Sequence, residues 1–151
     1  MHEPGRGQSD LRILVVDDNH DAAFSMSMLL QLEGYQTGTA HDGLAAILEA
    51  TRVRYHVVLL DLGLPIMDGF QAALALRQLE PAPVLIACTA WGDAETRKRT
   101  ADSGFYAHLV KPVPLAVLKA TLMPAIRTVS GDRQRPGGQA QEVTHPYEIR
   151  Q

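Results

Sequence analysis

A chain of 151 residues, 46% of them apolar, has room for one domain with an ordinary core and none for a second folded unit. Acids outnumber bases 17 to 14, a balance that gives no sign of a nucleic-acid-binding or membrane-seeking surface. Cys88 is the only cysteine, so an internal disulfide is excluded. MHEPGRGQSD lacks the apolar core of a signal peptide and no apolar run approaches spanning length, so a cytoplasmic protein is expected.

In chain order, LRILVV (11 to 16), VVLL (57 to 60) and VLIAC (84 to 88) are short, continuous and aliphatic, the pattern of strands buried on both faces. YQTGTA (35 to 40) and FYAHLV (105 to 110) are weaker strand candidates. The first intervening helix presents Ala22, Met26, Leu29 and Leu30 and ends at a capping Gly34. A second presents Leu44, Ile47 and Leu48. A third runs from about Gly69 to Leu79, ahead of Pro81 and Pro83. The fourth, DAETRKRTADSG (93 to 104), has only Ala94 and Ala101 as apolar anchors. The last begins near Pro114 and uses Leu115, Leu118 and Leu122, with Pro124 as an expected kink or early stop. This βα alternation predicts a parallel sheet covered by helices on both faces, with right-handed crossovers. Residues 1–10 and the polar, Gly-rich 130–151 are expected to be disordered flanks of a domain at 11–129.

Ligands of such sheets bind beyond the carboxyl ends of the strands, and the unexpected polar residues fall there. Asp17 and Asp18 follow the first strand, Asp61 the third, Thr89 the fourth and Lys111 the fifth. Three carboxylates in one crevice call for a cation, and an open, all-oxygen site suits Mg²⁺. Lys111 and Thr89 can hold an anion's oxygens. Metal, ammonium, hydroxyl and carboxylate together describe phosphoryl transfer to an aspartate.

The order VVDDN, VVLLDLGLPIMDG, CTA, LVKP resembles the receiver domain of two-component response regulators, over roughly residues 11 to 129, and the wording is similar to receivers of hybrid histidine kinases. The resemblance implies a flavodoxin-like doubly wound (βα)5 sandwich with strand order 2-1-3-4-5. It also implies that Asp61 accepts a phosphoryl group from a phosphohistidine in a sensor histidine kinase or histidine phosphotransfer protein. Asp17, Asp18, Asp61 and the Gly63 carbonyl would hold Mg²⁺, Thr89 and Lys111 would contact the phosphoryl oxygens, and Lys111–Pro112 would be cis. Gly69 would permit the tight turn into the third helix. Thr89 and the residue at 108 would form the switch, although His108 stands where many receivers carry Tyr or Phe. A homodimer through the fourth helix, fifth strand and fifth helix is compatible with the family.

Taken singly, an Asp at a strand end is usually a cap or turn residue, and Asn19 is placed to cap the first helix beside Asp17 and Asp18. Trp91 reads either as a loop aromatic or as a cover over the site, and the cluster at 97–99 as a solvated helix face. A phosphohydrolase using an aspartyl phosphate typically carries a second acid two residues after its nucleophile at the first strand, where this chain has Asn19. A pseudo-receiver would have lost site residues that are all present here. The tail of about 22 residues is too short for a DNA-binding domain with its own core, so a signalling switch without direct nucleic-acid contact is expected, not an enzyme beyond its own phosphorylation and dephosphorylation.

Overall fold

The computed structural model describes residues 10–129; the flanks expected to be disordered lie outside them, apart from Asp10. Five strands, β1 (Arg12–Val16), β2 (Gln36–Ala40), β3 (Val57–Leu60), β4 (Val84–Thr89) and β5 (Ala107–Val110), alternate with five helices. The helices are α1 (His20–Leu32), α2 (Gly43–Arg52), α3 (Gly69–Leu76), α4 (Ala94–Asp102) and α5 (Leu115–Val129). All strand pairs are parallel, in the order β2-β1-β3-β4-β5.

The aliphatic runs are continuous because both sheet faces are covered. Leu14, Val16, Val58 and Leu60 face one apolar cluster with α2 and α3, while Ile13, Val15, Val57 and Leu59 face the other with α1 and α5. Each such side chain contributes roughly 1.5–3 kcal/mol by leaving water. Two-residue periodicity thus separates the layers within each strand.

α5 docks by the expected Leu118 and Leu122, with Leu115 packed beside them, whereas α1, α2 and α4 differ in part from the faces expected. On α1 the inward residues are Ala23, Ser27 and Leu30 with Met26 beside them, and Ala22 and Leu29 are exposed. On α2 they are Gly43, Ala46 and Ala50, leaving Leu44 and Leu48 outside. Small residues let a helix sit close on the sheet, so the bulkier aliphatics flank the contact. On α4 both Ala94 and Ala101 are exposed and the buried residue is Thr100. α3 stops at Leu76, before the prolines, and α5 runs through Pro124 without ending.

Gly34 (φ 101) ends α1 as expected: its N–H donates to the Gln31 carbonyl and that of Tyr35 to the Leu30 carbonyl, which satisfies the last turn. Gly104 ends α4 in the same way, with bonds to Ala101 and Thr100. Gly69 is needed for a different reason from the one expected. It starts α3 without a positive φ, and a Cβ there would lie 2.6 Å from the Asp61 carbonyl oxygen and from Leu62 Cα. The left-handed residue of this loop is Ile66 (φ 68), in a γ-turn closed by Met67 N–H to the Pro65 carbonyl.

Candidate functional site

Parallel register places the site. Val16 pairs with Leu60, so Asp17 and Asp61 emerge side by side, and Asp61 N–H donates to the Val16 carbonyl. Lys111 leaves β5 with its N–H bonded to the Thr89 carbonyl. Its ammonium then reaches across the strand ends, donating to Asp17 Oδ2 at 2.7 Å and Asp61 Oδ2 at 3.0 Å. The Lys111–Pro112 peptide that follows is cis.

The second oxygen of each buried acid is also held. Asn19 N–H donates to Asp17 Oδ1 and Gly63 N–H to Asp61 Oδ1, while the Asn19 side chain accepts from Ala22 N–H and caps α1. Asp17 is 7% exposed and Asp61 9%, whereas Asp18 is open to solvent. Carboxylate oxygens from all three lie within 4.8 Å of one another. Burial works against the Lys111 ammonium, but the hydrogen bonds from Asp17 and Asp61 and their charge outweigh it, so its pKa stands above the ordinary lysine value. Three carboxylates against one ammonium leave two negative charges uncompensated. That donor set, all hard oxygen and open on the Asp18 side, fits a divalent hard cation such as Mg²⁺.

The side chain of Thr89, fully buried, is not part of this cluster; its hydroxyl oxygen accepts from Trp91 N–H at 3.3 Å. The Trp91 side chain is half exposed and lies against Gly63, where a Cβ would come within 2.7 Å of the ring. The indole therefore borders the loop that follows Asp61.

His108 is 2% exposed even though β5 is an edge strand. Its Nε2 lies 2.7 Å from the Trp91 carbonyl, which can only accept, and its Nδ1 lies 3.0 Å from the Thr100 hydroxyl. A neutral ring with its proton on Nε2 satisfies the Trp91 carbonyl and leaves Nδ1 to share the single Thr100 hydroxyl proton with the Arg97 carbonyl, 2.9 Å from the same oxygen, and burial holds the ring's pKa below the ordinary value. The imidazole thus ties the loop after β4 to α4. In the cluster at 97–99, only Lys98 is a solvated charge pair, with Asp102. Arg99 sits over the Phe70 ring and Arg97 donates to the Gly92 carbonyl. Cys88 is buried in β4 as expected, its thiol pushed up to about 12 by desolvation.

Sequence reasoning missed Thr100, whose threonine gave no apolar signal, and the bond from Lys111 to Asp17. It also missed the stacking of His20, at the start of α1, on His41, in the segment between β2 and α2. Among the described residues no helix is long and apolar enough to cross a membrane.

With five parallel strands in this order and an acid cluster bridged by lysine at their carboxyl ends, the chain belongs to the response regulator receiver domain family, whose profile matches residues 13–123. Members are signalling modules that bind Mg²⁺ through an acidic pocket and interact with histidine kinases or phosphotransfer proteins. The chain is 34% identical over 121 residues to the transcriptional regulatory protein PrrA of Mycobacterium leprae, 80% of this chain and 52% of that protein. It is 38% identical over 113 residues to the sensor histidine kinase RcsC of Salmonella typhimurium, 75% of this chain and 12% of that one. It thus spans about half the length of the first relative and a small part of the second. Among solved structures, the Vibrio cholerae chemotaxis protein CheY4 superimposes with a TM-score of 0.72 at 29% identity, covering 76% of this chain and 98% of that one.

Proposed function

We propose that this chain is a phosphorylatable receiver in which Asp61 accepts a phosphoryl group from a partner's phosphohistidine and the domain then changes conformation. The observation that carries this is the Lys111 ammonium held between Asp17 and Asp61 with Asp18 alongside. A carboxylate oxygen of Asp61 attacks phosphorus, the P–N bond breaks as the P–O bond forms, and the imidazole leaves with the electron pair. Asp17, Asp18, Asp61 and the Gly63 carbonyl would hold Mg²⁺, which would screen the negative charge gathering between phosphoryl oxygens and carboxylate. Lys111 exchanges part of its bond to Asp61 for a phosphoryl oxygen, and the Thr89 hydroxyl supplies a donor. His108, held by Trp91 and Thr100, is the residue through which that rearrangement reaches α4.

Asp61→Asn in the full chain, treated with acetyl phosphate and Mg²⁺ and weighed as the intact protein, should stay unmodified while the wild type gains one phosphoryl group. Equal uptake by the variant would move the phosphoacceptor elsewhere. No uptake by the wild type would leave an interaction module. The identity with a sensor histidine kinase favours a second reading of the setting, a phosphorelay module that passes its group to a phosphotransfer histidine. Onward transfer to such a protein separates it from a terminal switch.

A further inference from the structure

His41, in the segment between β2 and α2, donates from Nδ1 to the Asp17 carbonyl at 3.0 Å. Its ring stacks on that of His20, the first residue of α1, with centroids 3.6 Å apart and planes 11° from parallel. The Asp17 N–H is bound by the Ala40 carbonyl, so the junction after β2 holds Asp17 at both its N–H and its C=O. The carbonyl that His41 grips belongs to the peptide joining Asp17 to Asp18. The Asp18 carboxylate is exposed and makes no side-chain hydrogen bond among the described residues, so its position rests on its neighbours in the chain.

We propose that His41 is a positioning residue for the metal-binding loop. By gripping the Asp17–Asp18 peptide on one side of Asp18 and stacking on His20 on the other, it presets the direction in which the Asp18 carboxylate points. This rests on the receiver reading of the acid cluster and adds to it a residue that touches neither metal nor phosphoryl group. Groups that orient ligands in this way set metal affinity because the ligands then need little ordering on binding.

The test is Mg²⁺ titration of the full chain, read by the emission of its single tryptophan, Trp91, and independently by calorimetry, with the metal-free Tm measured for every variant. His41→Ala should weaken Mg²⁺ binding by about tenfold. His41→Asn, whose amide can reach the same carbonyl, should recover most of that. His20→Ala, which keeps the donor and loses the stack, should weaken binding less than His41→Ala. Wild-type affinity in His41→Ala overturns the proposal, as does equal weakening in the Ala and Asn variants with an equal fall in metal-free Tm, which marks a packing role only. If His41→Ala does not fold, His41→Asn must bind Mg²⁺ more tightly than His41→Phe, which keeps a ring without the donor; the reverse or equal order overturns it. A wild type that binds no Mg²⁺ brings down the receiver reading and the clamp together. A wild type that binds, with Asp18→Ala silent and His41→Ala unchanged, overturns the clamp alone.

Discussion

Replacing Thr100 by Val keeps the shape of a side chain that is 1% exposed and removes only its hydroxyl. In the folded protein that hydroxyl bonds the Arg97 carbonyl of its own helix and is also the one partner of His108 Nδ1, since Nε2 is engaged by the Trp91 carbonyl. The substitution leaves a buried ring nitrogen without a donor, which costs about 1–3 kcal/mol, partly offset by burial of the new methyl group, itself about 0.8 kcal/mol. The net loss is centred on about 1 kcal/mol, a fall in Tm of roughly 3–5 °C for a domain of this size. Thr121→Val is the matched control. Thr121 is equally buried, but its hydroxyl donates only to the Val117 carbonyl within α5, and its removal orphans no side chain. Thermal unfolding by circular dichroism of both variants, without Mg²⁺, makes the comparison. A Thr100→Val protein that melts with or above the Thr121→Val protein would refute the view that α4 is docked through His108.

Lys111→Met leaves Asp17 and Asp61 facing each other without a cation; the metal-free protein should lose about 1–3 kcal/mol, less than a fully buried pair because part of the lysine is exposed, while its Mg²⁺ affinity rises. An unchanged urea midpoint without Mg²⁺ would refute this. Gly69→Ala puts a methyl group against backbone atoms of Asp61 and Leu62 that cannot rotate away, so it should destabilise by about 2 kcal/mol or more, read from the same urea curves. Burial depresses the pKa of His108, so below the ordinary histidine value of 6.5 the unfolded chain takes up the proton first. His56, desolvated beside Arg54, acts in the same direction. Stability should therefore hold above that pH and fall as pH drops from about 6.5 toward 5, with a shallower fall in His108→Phe; identical slopes would show that His108 is not the titrating group.

The strand–helix alternation was legible because aliphatic runs such as VVLL occur only where both sheet faces are covered. The site residues were legible for a related reason: they stand at the ends of four strands, Asp17 and Asp18 sharing the first, and the carboxyl ends of parallel strands share one edge. Helix faces were legible only in part: Leu118 and Leu122 of α5 are buried as their spacing predicts, but the inward faces of α1, α2 and α4 were not. Ala22 with Leu29 and Ala23 with Leu30 form stripes about 100° apart on α1, and periodicity alone does not say which one turns inward. Docking on the sheet chose the stripe with Ala23 and Ser27, whose small side chains permit close approach. The same limit applies to partners far apart in the chain. Lys111 meets Asp17 across 94 positions and His41 meets Asp17 across 24, pairings set by strand order and register rather than by any local pattern. The amino-acid sequence by itself determined which residues stand at the strand ends and what chemistry they carry. Only the tertiary structure decided that Lys111 bridges two acids, that Thr100 and Trp91 hold His108 inward and that His41 grips the peptide between two candidate metal ligands, because each of these contacts exists only once separate elements have packed.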